Sequence, residues 1–216
     1  MSNPESFIDE VTEEVRRDRL YAILKRWGWV AVLAILVLVG GAAWNEWRNA
    51  QARSSAEAFG TEILSALGSE SEAARVEALG AITPATPEQT AILGMLEAVA
   101  TAETDDAAAR TRLLNLADAP EMPATYRHLA LTKAMLAGGS GDVARDALIL
   151  EELAAPGAPF RPLALELQAV AALNAGDEAT AITLLRLLSE DAEATEALRR
   201  RALQLIVALG ASPEPA

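Results

Sequence analysis

The stretch KRWGWVAVLAILVLVGGAAWNEWR, residues 25–48, constrains this chain more than any other. Between Arg26 and Glu46 no side chain is charged, and from Val30 to Val39 every residue is Val, Ala, Leu or Ile. A helix rises about 1.5 Å per residue, so Trp27 to Trp44 covers roughly 27 Å. The hydrocarbon core of a bilayer is about 30 Å thick and takes a helix of about 17–25 apolar residues. All four tryptophans of the chain lie here, Trp27 and Trp29 at one end, Trp44 and Trp47 at the other. Indole rings settle at the headgroup level, so a pair at each end marks two membrane interfaces. The stretch is expected to be a transmembrane anchor over 27–45. The competing reading is a cleaved export signal, with Val30–Val39 as its apolar region and Gly41, Ala42 and Ala43 as the small residues at a cleavage site. The long preceding segment, which carries Asp and Glu among its Arg, and the length of the apolar run favour an anchor that is retained.

Basic residues set the orientation of such an anchor, because cytoplasmic flanks carry the excess of Lys and Arg. Arg16, Arg17, Arg19, Lys25 and Arg26 precede the span, and only Arg48 and Arg53 closely follow it. This asymmetry predicts a single-pass inner-membrane protein with residues 1–26 cytoplasmic and the remainder exported, in a Gram-negative cell to the periplasm. Residues 6–26 read as a helix, with Ser6 as its cap, Asp9 and Glu10 in the first turn, and Lys25 and Arg26 late, as the helix dipole prefers. Ile8, Val11 and Val15 share one of its faces.

The exported part is long enough for one domain with its own core. Aromatics make up only 4% of the 216 residues while Ala and Leu abound, which favours closely packed helices. There is no cysteine, so apolar packing alone must hold the fold. The net charge is −13, and nearly all of the acidic excess follows the span. A domain of that sign repels nucleic acid and anionic lipid. The Arg199-Arg200-Arg201 triplet lies beside Glu190, Asp191 and Glu193 and reads as an internally paired, solvated face rather than a phosphate site.

Helix pairs recur along residues 46–210. Thr86-Pro87-Glu88-Gln89 is a helix start, with a Thr cap, Pro in the first position and Gln three residues after the cap. Pro123 and Pro162 read as two more first-turn prolines. Asp106, Asp142 and Asp177, each at a polar break followed by Ala-rich sequence, are spaced about 35 residues apart, and one step back lands on Ser71. That is the tetratricopeptide length. Apolar stripes at spacings of three and four support the helices: Ile92, Leu96 and Val99; Tyr126, Leu129, Ala130 and Ala134; Leu163, Leu167, Val170 and Asn174; Ala181, Leu184, Leu185 and Leu188; and Leu198, Ala202, Leu205 and Leu209. No segment alternates with period two, so no sheet is expected. The predicted fold is all-α, one N-terminal transmembrane helix followed by a tetratricopeptide-like α-solenoid of about four degenerate pairs. Residues 211–216 are expected to be a disordered tail.

Chemistry leaves no comparable trace. His128 is the only histidine, no thiol is present, and no HExxH, GxSxG, GxGxxG or P-loop pattern occurs. His128 reads as a packing residue of its helix. Glu70, Glu72, Asp105 and Asp106 sit at helix starts, where carboxylates stabilise the positive end of the dipole. No enzyme, cofactor, metal or small-molecule substrate is expected; the expected partners are proteins and, through one helix, the lipid bilayer. Stacked pairs leave an extended concave surface suited to helices or extended peptides. Exposed-type residues on the first helices, Arg127, Lys133, Glu166 and Gln168, are the candidates for contact with a partner there.

This layout resembles a known family. The anchor KRWGWVAVLAILVLVGGAAWNEWR, the following WNEWRNAQARSSAEAF and the degenerate repeat end NAGDEATAITLLRLLSEDAEA are similar to YfgM-like ancillary subunits of the SecYEG translocon. Those are inner-membrane proteins with a periplasmic tetratricopeptide-like domain. The resemblance implies a non-enzymatic role linking the translocon to periplasmic chaperones or newly exported proteins. A second expectation, from the anchored scaffold itself, is an accessory or assembly subunit of another inner-membrane complex, respiratory or cytochrome-maturing.

Overall fold

The computed structural model describes residues 4–212; the side chains of 4–24, 27, 28 and 31 lie outside the described set. Nine helices form among the described residues: α1 (Pro4–Leu67), α2 (Glu72–Gly80), α3 (Pro87–Ala102), α4 (Asp106–Ala117), α5 (Ala124–Leu136), α6 (Val143–Leu153), α7 (Arg161–Asn174), α8 (Glu178–Glu190) and α9 (Glu196–Ala208). No strand occurs among them. The chain divides into two units, Met1–Ala58 and Phe59–Ala216.

Helix starts in the second unit are written in single side chains. Ser71, Asp105, Asp142 and Asp177 cap α2, α4, α6 and α8, each accepting a hydrogen bond from a first-turn N–H. Thr86 and Thr195 do the same for α3 and α9. Each such oxygen satisfies a backbone donor the helix cannot use, and losing one costs about 1 kcal/mol. At α3 the Gln89 side chain also accepts the Ala85 N–H at 2.8 Å, one residue before the cap. Asp105 caps α4 with Asp106 in its first turn. One expectation shifts slightly: Pro123 is the cap residue of α5 and not part of its first turn. A second fails: α1 is continuous from Pro4, so Ser6 lies within the helix and is not its cap position.

From α2 to α9 each helix packs on the next in sequence, and α3 also touches α5, α5 touches α7, and α7 touches α9. A stack in which alternate helices meet is consistent with an α-solenoid. Its core is built of Leu and Ala. One cluster joins Ala98, Leu113, Leu131, Leu153 and Ala164 across α3–α7; a second joins Leu165, Leu185, Leu188, Ala202 and Ile206 across α7–α9. A third brings Ala66 of α1 to Leu79, Leu93 and Ala100, with Phe59 against it. Sinking a Leu side chain stabilises by about 1.5–3 kcal/mol. Small side chains permit the close approach: a Cβ on Gly94 would lie 2.9 Å from Leu116 Cδ1, so the Leu116 side chain of α4 packs directly on the α3 backbone there.

Two of the apolar stripes do not face this core. On α3 the buried residues are Ala91, Leu93, Ala98, Ala100 and Thr101, whereas Ile92 and Val99 are 41% and 52% exposed. On α7 Pro162, Ala164, Leu165 and Ala169 are buried, and Val170 and Asn174 are exposed. The remaining stripes do supply core residues: Ala130 and Ala134, Ala181, Leu185 and Leu188, Leu198 and Ala202. At the C-terminus Ala211 packs on the second cluster and its N–H donates to Ile206 O at 3.1 Å; the Ser212 carbonyl accepts from Arg186 at 3.0 Å. The rest of the expected tail, 213–216, lies outside the described residues.

Candidate interaction surfaces

Along α1, Val32, Leu33, Ile35, Leu36, Val37, Leu38 and Val39 are each at least half exposed, Leu38 reaching 73%. Trp29, Trp44 and Trp47 are exposed as well, and the rings of Trp44 and Trp47 lie 5.1 Å apart at 43°. One helix turn places consecutive residues all round its axis, so the exposed run is apolar on every side. Lys25 and Arg26 are exposed at its start. Trp27, Arg16, Arg17 and Arg19, expected respectively at the interface and in the basic flank, lie outside the described side chains. Among the described residues no helix is long and apolar enough to cross a membrane. The uninterrupted described run, Val32 to Asn45, falls short of the roughly 20 residues that a spanning helix needs.

The second surface belongs to the helical stack. A cavity of about 350 Å³ is lined by Ala98, Val99 and Ala102 of α3, Ala109 and Leu113 of α4, and Lys133, Leu136 and Ala137 at the end of α5. A larger one, about 600 Å³, is lined by Met135, Leu136 and Gly139, by Val143, Asp146, Ala147 and Leu150 of α6, and by Leu167, Val170 and Asn174 of α7. The two are in the same register. Ala109 and Leu113 stand four and eight residues after the cap Asp105; Asp146 and Leu150 stand four and eight after the cap Asp142. Leu136 lines both, at 59% exposure. The stripes that miss the core therefore end up here, as Val99, Leu167 and Val170.

The turn between α5 and α6 fixes the shape of the larger cavity. Gly139 has φ +75, and a Cβ there would fall 2.3 Å from Asp146 Oδ2. Asp146 Oδ1 accepts the Ser140 N–H at 2.8 Å, and Arg110 donates to Ala137 O at 3.2 Å from the other side.

The expected contact residues separate on this frame. Lys133 lines the smaller cavity. Arg127 instead grips Glu152 of α6 with two hydrogen bonds, 3.0 and 2.9 Å, and donates a third to Ala117 O. Those bonds hold the Glu152 carboxyl below its ordinary range and keep the guanidinium charged. Glu166 of α7 is engaged by Arg201 of α9, whose guanidinium it likewise holds charged. Gln168 is half-buried on α7. His128 Nε2 is 3.5 Å from Glu152 Oε1, and its Nδ1 is buried without a partner. Both oxygens of Glu152 are taken by Arg127, so the pair ties α5 to α6. Among the described residues no three His, Cys, Asp or Glu could hold a metal ion.

The Arg triplet of α9 is consumed internally: Arg199 donates to Asp191 O at 2.9 Å, Arg200 and Arg199 approach Glu196, and Arg201 engages Glu166. Arg161 pairs with the buried Asp191 of the α8–α9 turn. Sequence reasoning could not find the groove residues Leu136, Val143 and Leu150, because nothing local distinguishes a Leu that lines a cavity from one that fills a core. No family model matches the chain, and neither a curated protein nor a solved structure matches it.

Proposed function

We propose that this chain is a membrane-anchored, non-enzymatic scaffold whose tetratricopeptide-like stack binds segments of other proteins. The observation that carries the reading is the pair of apolar cavities in one register sharing Leu136. Neighbouring repeats that offer equivalent recesses suit a chain laid across them more than a single small molecule. In the first unit, the exposed apolar run of α1 and the Trp pair after it support the anchor; large apolar side chains exposed all round a helix are stable only in an apolar medium. Lys25 and Arg26, with the Arg residues before them, favour a cytoplasmic N-terminus and a periplasmic stack. Together with the resemblance to YfgM-like subunits, this makes the linking of the Sec translocon to chaperones or newly exported chains the preferred role.

A photo-reactive residue at Leu136 of the full chain, irradiated in native membranes, tests the role. Translocon subunits, chaperones or exported chains in the adducts would support it. Stoichiometric adducts with one respiratory or cytochrome-maturing complex, together with loss of that complex on deletion, would replace it with the accessory-subunit role. A C-terminal tag that protease fails to reach in spheroplasts would sink the periplasmic placement.

A further inference from the structure

We propose that the groove takes a cationic polypeptide segment carrying two apolar side chains, one for each cavity. This rests on the protein-binding reading above and adds the chemistry of the occupant. Successive helices on this face touch, α3 with α5 and α5 with α7. Packed helix axes lie about 8–10 Å apart, so equivalent recesses between them repeat at roughly 10 Å. Two apolar side chains at that separation can be seated together while Leu136 packs between them. The lining favours aliphatic groups: Val99, Leu113 and Leu136 on one side, Leu150, Leu167 and Val170 on the other.

The sign of the occupant follows from how the fold spends its cations. From α2 to α9 the arginines are committed internally. Arg75, Arg112, Arg127, Arg145, Arg161, Arg199, Arg200 and Arg201 face carboxylates, and Arg110 and Arg186 donate to carbonyl oxygens. Carboxylates remain in surplus. The smaller cavity is lined by the ends of α3 and α5 and the start of α4, the larger by the ends of α5 and α7 and the start of α6, and the turns along that edge expose Asp105, Asp106, Asp142, Asp177 and Glu178, with Asp146 on the wall of the larger cavity. Asp105, Asp142 and Asp177 are the caps, and Asp106, Asp146 and Glu178 add a further carboxylate in each of the three first turns, none of them paired with an arginine. Lys133 and Arg110 are the opposing cations at the groove, and Arg110 is bound to Ala137 O. An anionic segment would find only Lys133 and Arg110 to pair with and would meet the field of a chain with net charge −13.

The test uses the full chain in phosphatidylcholine nanodiscs, which bind no basic peptide by charge, and three labelled peptides read by fluorescence anisotropy. One carries two Leu about 10 Å apart among Lys, the second replaces Lys with Glu, and the third keeps one Leu. The first is expected to bind at least tenfold tighter than either of the others, and to weaken as salt rises from 50 to 300 mM. Leu136→Glu and Val170→Glu alter exposed side chains; each should weaken that binding at least tenfold with unchanged helicity by circular dichroism. If the Glu peptide binds as tightly as the Lys peptide and Leu136→Glu weakens both, the charge inference is overturned while the groove reading stands. If no peptide binds, and Leu136→Glu leaves the membrane crosslinks intact, both are overturned.

Discussion

The same aliphatic residues occupy opposite situations in the two units. In the stack Leu79, Leu131, Leu153, Leu185 and Leu188 are no more than 2% exposed, each walled in by a neighbouring helix. In α1 Leu33, Leu36 and Leu38 are 50–73% exposed, on all sides of one rod. A Leu in the stack is covered by neighbouring helices; a Leu in the α1 run stays exposed. The stack also exposes apolar groups, but at the groove they line two adjoining cavities, as Val99, Leu136 and Val170 do, instead of surrounding a helix.

Charge placed in the α1 run should produce the largest effect. An Arg at the centre of a spanning helix costs about 2.5–3.5 kcal/mol, so Leu36→Arg with Leu38→Arg shifts the membrane equilibrium by about 5–7 kcal/mol. Carbonate-washed membranes should lose the double variant to the soluble fraction while the urea midpoint of the stack stays put. A double variant that pellets like the parent would remove the contrast between the units.

Truncation inside the stack comes next. Leu131→Ala or Leu185→Ala leaves a void in a filled core and should cost about 2–5 kcal/mol, read as a lower urea midpoint. Leu148→Ala, on α6 and 68% exposed, should change stability by less than about 0.5 kcal/mol. Membrane retention should be the same in all three. Equal losses at Leu148 and Leu131 would mean that the exposed face of α6 is covered.

Helix caps are a smaller lever, and they also explain what could be read from the sequence. Asp177→Ala should lower the urea midpoint of the stack by less than either core truncation, since Asp177 accepts the Thr180 N–H at 3.0 Å and the Thr180 hydroxyl at 2.6 Å. Caps and breaks are local, so Ser71, Thr86, Asp142 and Asp177 marked helix starts before any coordinate did. Which face each helix buries is not local. In α3 and α7 neighbouring helices close on Ala91, Ala98, Ala164 and Ala169, because small side chains let axes approach, and the larger Val99, Leu167 and Val170 turn to the groove. A pattern weighted by side-chain size points the wrong way in such helices. The partners of Arg127 and Glu166 were equally hidden, 25 and 35 residues distant along the chain. Lys133 lines the smaller cavity, but the Val and Leu residues around it, Val99, Leu113 and Leu136, carry no local mark of that position.

The smallest expected effect is electrostatic, and it separates the units by pH. Hydrogen bonds from Arg127 hold Glu152 below the ordinary carboxyl range, and those of Thr180, hydroxyl first, do the same for Asp177. A folded-state value below the unfolded one means that the unfolded chain binds protons first as pH falls. The stabilisation is therefore fully present above the ordinary carboxyl value of about 4 and is lost as pH drops through the lower folded value. Glu152 is 38% exposed, so solvent screening limits its pair with Arg127 to less than about 1 kcal/mol. Thermal midpoints of the stack should fall between pH 5 and pH 3, by about the span of a few carboxylates. Glu152→Gln should start lower at pH 7 and fall less steeply. The exposed run from Val32 to Val39 has no titratable side chain, so membrane retention should stay flat over the same range. An equally steep midpoint curve for Glu152→Gln would show that its pair with Arg127 contributes nothing measurable, and would leave packing alone to hold α5 on α6.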